Sequence, residues 1–265
     1  MSGSVIPACK EGDAGGYVCS GTFTVTGAWK AYMHEDRTEG GCYMINTIVF
    51  DLDGTLLNTL EDLTDSVNHV MKQYHLPVHT IEEIRTYVGS GAAKLIERAI
   101  PQGTDNPAYQ EILDCFRQHY QVHCEEKTGP YEGVLEMLAV LKQRKYRMAI
   151  VSNKPDGAVK QLFHKYFEAY VQAAVGEHPG TKKKPAPDMV YQALGELAVD
   201  AAHAVYVGDS EVDLQTAANV PMPCVSVLWG FRTEEELYQA GAVKAHMIRM
   251  PQDLPEYLRC LDQAE

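Results

Sequence analysis

The chain has 265 residues, is 45% hydrophobic and carries a formal net charge of -13. That balance suits one large or two small globular domains with a real core and excludes nucleic acid as a main partner. No apolar run approaches the ~20 residues that span a bilayer, and no basic, apolar leader marks a signal peptide. Seven cysteines at scattered positions fit free thiols in a reducing compartment, so the cytoplasm is the expected location.

Residues 1–43 hold eight of the 21 glycines, three of the seven cysteines and no leucine. Thr22 to Thr26 alternates like a strand but is flanked by glycine. This segment is expected to be an extension of low order, a dispensable or mis-called leader, with Met44 as the functional start. Ile48-Val49-Phe50 then reads as a short buried strand. Asp51-Leu52-Asp53-Gly54-Thr55 follows it. Residues i and i+2 of an extended segment point the same way, so two carboxylates face one small volume, and Gly54 lets the chain turn.

From Thr59 the pattern becomes helical. Thr59 with Asp62 fits an N-terminal cap, and Leu63, Val67, Val70, Met71 and Tyr74 form the apolar stripe until Pro77. Thr80 with Glu83 caps a second helix, Gly89-Ser90-Gly91 interrupts it, and Ala92 to Ile100 resumes. A further helix runs from Asn106 to His123 on Tyr109, Ile112, Leu113, Phe116 and Tyr120. Residues 59–127 thus read as an all-α insert, with joints at Asn58-Thr59 and Thr128-Gly129-Pro130. Lys94 and Arg85 are its candidates for holding a second anionic group of a ligand, against the ordinary reading of solvated helix charges.

Beyond Gly129-Pro130 helices and strands alternate. Helices are expected at Tyr131 to Gln143, Ala158 to Phe167, Pro187 to Leu197 and Val212 to Ala218, with one more capped by Thr233 and Glu236 and stopped at Gly241. Strands are expected at Met148 to Val151, Val171 to Val175, Ala204 to Val207 and Val225 to Leu228. The fold class is therefore α/β: a Rossmann-like parallel sheet with helices on both faces, built from residues 44–58 and 128–265 and carrying the helical insert. Ligands of such sheets bind at the carboxyl ends of the strands.

The residues just past each strand form one set. They are Asp51 and Asp53; Ser152, Asn153 and Lys154; Lys182-Lys183-Lys184-Pro185; and Gly208-Asp209-Ser210 with Asp213. Each alone fits a helix cap or a solvated charge run. Together they suit phosphoryl transfer to a carboxylate. Asp51 is the candidate nucleophile and Asp53 the candidate general acid and base. Asp51, the Asp53 backbone carbonyl and Asp209 are candidate ligands for Mg²⁺, a hard cation that takes oxygen. Ser152, Asn153 and Lys184, with Gly54 and Thr55, would hold phosphate oxygens, and Lys184 would offset developing charge.

These four segments resemble the four motifs of the haloacid dehalogenase-like hydrolase superfamily, in its order, from Met44 onward. The insert resembles that superfamily's small α-helical cap. Lys184-Pro185-Ala186-Pro187-Asp188, Gly230-Phe231-Arg232 and Gly89-x-Gly91 are similar to the phosphoglycolate phosphatase branch. Asn58 stands where many relatives have Asp, and Asn219-Val220 where many have Gly. The resemblance implies a Mg²⁺-dependent phosphatase acting on a small phosphorylated metabolite through an aspartyl-phosphate, with pyrophosphatase or sugar-phosphate and nucleotide phosphatase as alternatives. Asp at position 53 separates the chain from dehalogenases and phosphonatases, and Leu63 stands where the sugar-phosphomutase branch carries a cap histidine. A non-catalytic binding protein usually lacks a motif residue, and none is missing here.

Overall fold

The computed structural model describes residues 45–262, so the expectations for the first 43 residues and for Met44 lie outside it. Six parallel strands stand in the order β5-β4-β1-β6-β7-β8. They are β1 (Thr47–Phe50), β4 (Arg147–Pro155), β5 (Ala173–Glu177), β6 (Ala204–Gly208), β7 (Cys224–Val227) and β8 (Met247–Ile248). β1 lies between β4 and β6, with Phe50 level with Ile150 on one side and Val207 on the other.

The continuous apolar strands are explained by burial on both faces. Successive side chains of a strand point to opposite sides. Ile48 and Phe50 join one core with Val134, Leu138 and Leu141 of α5 (Val134–Gln143), Val159 and Leu162 of α6 (Asp156–Tyr166), and Leu254 and Leu258 of α10 (Leu254–Asp262). Val49 joins the other with Met189, Val190 and Leu194 of α7 (Asp188–Leu197) and Ala217 of α8 (Glu211–Asn219). Thr233 caps the short α9 (Glu234–Gln239), its hydroxyl accepting from the Glu236 N–H at 3.2 Å.

Four helices lie between β2 (Leu57–Asn58) and β3 (Gly129–Pro130): α1 (Leu60–Gln73), α2 (Ile81–Tyr87), α3 (Ala92–Ala99) and α4 (Tyr109–His123). β2 and β3 pair antiparallel, Leu57 with Pro130 and Asn58 with Gly129, so a two-stranded ribbon lies where the joints of the insert were expected. The helices share an apolar cluster that also takes in Ala158 and Phe231 from the sheet side. Here we call α1–α4 the cap.

The Thr80–Glu83 cap forms in both directions, at 3.2 and 2.8 Å. The expected Thr59–Asp62 cap does not: Thr59 makes no side-chain cap bond. The Asp62 carboxylate instead accepts from the backbone N–H groups of Lys127 and Thr128, at 2.9–3.1 Å, and ties the entering helix to the returning chain. The helix expected from Tyr131 begins at Val134, because Gly133 takes φ +84 at its N-cap. The strand expected over Val171 to Val175 runs Ala173–Glu177, since Val171 still bonds back to Phe167 at 2.9 Å.

Candidate active site

Asp51 leaves β1 between two neighbours and becomes the centre of a buried charge cluster. Its Oδ1 accepts from the Leu52 N–H at 2.7 Å and lies 2.7 Å from Lys184 Nζ. Lys184 also lies 2.9 Å from Asp213 Oδ1 and donates to the Tyr206 hydroxyl at 3.1 Å. Asp213 occupies the first turn of α8, where its other oxygen accepts from Ser210 N–H at 3.1 Å and Ser210 O–H at 2.7 Å. Burial alone would lower the Lys184 pKa, but Asp213 and Asp51 outweigh it and hold the ammonium charged.

Asp209 follows β6. Its Oδ2 accepts from the Phe231 N–H at 2.7 Å and its Oδ1 from the Thr55 hydroxyl at 3.3 Å. Glycine makes this crowding possible. A Cβ on Gly54, which has φ +87, would stand 2.3 Å from Asp209 Oδ2. One on Gly230 would stand 2.4 Å from Asp209 Cβ, and one on Gly208 would stand 2.3 Å from Asp213 Cγ. Gly54 and Thr55 thus shape the seat of Asp209, and neither lines the cavity above.

Asp51, Asp209 and Asp213 bring carboxylate oxygens within 4.8 Å of one another. Burial pushes the Asp51 carboxyl up, Asp213 adds to that, and Lys184 pulls back. Burial, then Asp213, pushes Asp209 up to about 7 against the Phe231 N–H. Such a set of oxygen donors fits a hard divalent cation, whose charge would relieve the repulsion. Asp213 is held by the Lys184 ammonium through Oδ1 and by Ser210 through Oδ2, whereas the Asp209 oxygens accept only from neutral donors and Asp51 meets Lys184 through Oδ1, so Asp51 and Asp209 are the better placed to ligate. The Asp53 side chain stands apart from this trio.

Asp53 faces Lys154 instead, Oδ1 to Nζ at 2.9 Å, and Lys154 also donates to the Tyr120 hydroxyl of α4 at 2.6 Å. Burial works against the Lys154 charge, but Asp53 and Tyr120 outweigh it and hold its pKa up. Ser152 Oγ accepts from the Lys154 N–H at 3.2 Å, which leaves its O–H to donate. The Asn153 amide donates to the Gly89 carbonyl at 3.2 Å and the Lys184 carbonyl at 3.0 Å, so it links motif loop, lysine loop and cap. Arg232 makes a second link, donating to the Arg85 and Val88 carbonyls at 3.0 and 2.9 Å.

A cavity of about 690 Å³ opens between sheet and cap. Asp51, Asp53, Ser152, Asn153, Lys154 and Lys184 form its floor, and Leu63, Val88, Leu95, Phe116 and Tyr120 its cap wall. Arg85 and Lys94 do not line it: Arg85 donates to the Phe231 carbonyl and Lys94 pairs with Glu97. The cations that do line it besides Lys184 are Lys154, Lys183 and Arg117. Sequence reasoning placed Lys154 and Asp213 in the strand-end set without a role of their own and read Tyr120 as part of an apolar helix stripe. The signal for Lys154 was its place after Ser152 and Asn153 at a strand end.

Comparison with known proteins agrees with this geometry. Residues 48–227 match the family model described as haloacid dehalogenase-like hydrolase. A phosphoglycolate phosphatase of Mesorhizobium japonicum is 32% identical over 217 residues, which are 80% of this chain and 95% of that protein. One of Rhodospirillum rubrum is 31% identical over 72% of this chain and 83% of its own. A crystal structure from Lactobacillus delbrueckii subsp. bulgaricus, described as a presumed phosphoglycolate phosphatase, is 33% identical with a TM-score of 0.77. That likeness covers 81% of this chain and 98% of that one. The chain belongs to the haloacid dehalogenase-like hydrolase family, among its phosphatases that resemble phosphoglycolate phosphatase.

Proposed function

We propose that the protein is a Mg²⁺-dependent phosphatase that hydrolyses a small phosphate monoester of the phosphoglycolate kind through an aspartyl-phosphate on Asp51. The observation that carries this is the Asp51 carboxylate, fixed by Lys184 at 2.7 Å on the floor of a cavity and followed two residues later by Asp53. One Asp51 oxygen is engaged by the Leu52 N–H and Lys184, so the other is the one to attack phosphorus. Ser152 and Lys184 would hold the phosphoryl oxygens. Asp53 turns from Lys154 to the leaving oxygen, protonates it, then takes a proton from the water that opens the acyl phosphate. Asp51, Asp209 and the Asp53 carbonyl would hold Mg²⁺, whose charge would lower the repulsion between nucleophile and phosphate.

The named relatives support phosphoglycolate as the substrate, and Lys154, Lys183 and Arg117 can meet its carboxylate. The size of the cavity and its apolar wall of Leu63, Leu95 and Phe116 favour a second reading, a bulkier phosphate ester of a sugar or nucleotide. The net charge of -13 and the free Cys115, Cys124 and Cys224 support a cytoplasmic enzyme of small metabolites. Phosphate release from a panel holding phosphoglycolate, pyrophosphate, sugar phosphates and nucleotides decides between these readings. A kcat/KM for phosphoglycolate at least tenfold above the others supports the first. Hydrolysis of none of them removes the proposal.

A further inference from the structure

Lys154 ties the candidate proton-transfer group to the cap. It lies near the carboxyl end of β4, and only 2% of its side chain meets solvent. A buried ammonium is costly unless it is paired, and this one finds its partners in two different parts of the chain. Asp53 Oδ1, just past the end of β1, lies 2.9 Å from Nζ. The Tyr120 hydroxyl, on the cap helix α4, accepts from Nζ at 2.6 Å.

The two ends of this link are held unequally. Nζ also stands 4.5 Å from the centroid of the Tyr120 ring, close enough for a cation–π contact. That ring is buried and stacks on Phe116, one turn earlier in α4, at 5.6 Å and 7° from parallel. The Lys154 backbone N–H donates to Ser152 Oγ at 3.2 Å. A side chain with a flexible four-carbon stem is thus fixed both at its backbone and at its ammonium. Asp53 is held more lightly. Its Oδ1 is buried and, the ammonium apart, has no partner among the described residues. Its side chain is still 17% exposed and lines the cavity.

On the phosphatase reading, we propose that Lys154 is the positioning residue for Asp53 and that Tyr120 sets Lys154 from the cap. The proton-transfer group is then aligned by a residue of the part of the chain that covers the cavity. As the bond from phosphorus to the leaving oxygen breaks, the Asp53 proton passes to that oxygen, and the carboxylate stays beside Lys154. When water opens the acyl phosphate on Asp51, the water proton passes to the same carboxylate. The ammonium neither gives nor takes a proton. Without it the Asp53 carboxyl has no fixed place, and a misplacement of about 1 Å costs on the order of 100-fold in rate. A lysine that merely balanced buried charge would affect all esters alike and would not need the Tyr120 hydroxyl.

The test uses Lys154→Met and Tyr120→Phe in the full chain with Mg²⁺, each alone and combined with Asp53→Asn. Tyr120→Phe removes one hydroxyl and keeps the ring, so it carries the test should Lys154→Met fail to fold. The substrates are p-nitrophenyl phosphate and an alkyl phosphate without a second anionic group, so that no variant removes a cation that a carboxylate would meet. Lys154→Met should lower kcat on the alkyl ester about 10- to 100-fold at unchanged KM, and on p-nitrophenyl phosphate much less. Tyr120→Phe should show the same pattern with a smaller loss. In the Asp53→Asn background neither change should cost more than about twofold, because the group they position is gone. Independently of turnover, the Lys154 Nζ protons, followed by nitrogen-15 NMR, should exchange with water faster in Tyr120→Phe than in the wild type. With an active wild type, equal losses on both esters, full additivity with Asp53→Asn, or unchanged Nζ exchange would overturn the positioning role and leave the phosphatase reading standing. A wild type that hydrolyses neither ester would remove that reading and this role with it.

Discussion

Lys184 Nζ lies 2.7 Å from Asp51 Oδ1, and both side chains are almost fully withdrawn from solvent. The same ammonium lies 2.9 Å from Asp213 Oδ1. It is the cation that lets two carboxylates share a dry strand end. Breaking a buried pair by removing one partner leaves charge uncompensated and costs about 3–5 kcal/mol. Lys184→Met should therefore lower stability by about that amount without Mg²⁺ and abolish phosphatase turnover. Urea unfolding of both proteins checks it, and an unchanged unfolding midpoint would contradict the pairing.

Gly54 supplies space rather than a functional group. Its φ of +87 and the 2.3 Å from an added Cβ to Asp209 Oδ2 leave no room for alanine. Gly54→Ala should displace Asp209 and raise the Mg²⁺ concentration at half-maximal activity at least tenfold. A Mg²⁺ titration of phosphate release measures this. The same half-saturation as wild type would show that Asp209 is no ligand.

Asp53 separates two kinds of substrate. A nitrophenolate departs without a proton, whereas an alkoxide needs one. Asp53→Asn should slow hydrolysis of an alkyl phosphate about 10²- to 10⁴-fold and that of p-nitrophenyl phosphate much less. Rates on both esters provide the comparison. Equal losses would remove Asp53 from proton transfer.

His246 is buried, and burial lowers its pKa below the usual 6.5. The unfolded chain then binds more protons than the folded one as pH falls below about 6.5, so this contribution to stability is complete above that pH and lost below it. Buried carboxyls titrate as well, so the contribution is read as a difference. The thermal midpoint of the wild type should fall more steeply from about pH 7 to about pH 5 than that of His246→Gln. Parallel curves would contradict the assignment.

The sheet was legible because its strands are short, apolar on both faces and followed by chemically distinctive residues. Asp51, Ser152, Lys184 and Asp209 come together for that reason. What sequence could not show were relations set by distant backbone. Asp62 fits a local cap, yet its carboxylate serves Lys127 and Thr128, more than sixty residues on. Lys154 gains its place from Tyr120 across the cap boundary and from Asp53 on another strand end. Arg85 is spent on the Phe231 carbonyl, because the loop after β7 packs under the cap. β8 and α10 escaped notice: β8 has two residues, and the stripe of α10 has meaning only against α5 and the sheet.

The most direct test of the nucleophile is the mass of the protein during turnover. Wild type mixed with phosphate ester and Mg²⁺, quenched in acid within the first turnover, should carry one phosphoryl group on the peptide that contains Asp51. Asp51→Asn, which keeps the shape and removes the attacking charge, should carry none and lose turnover while keeping the wild-type fold. Phosphatase activity of Asp51→Asn within tenfold of wild type, or a phosphoryl group found elsewhere in the chain, would contradict the account.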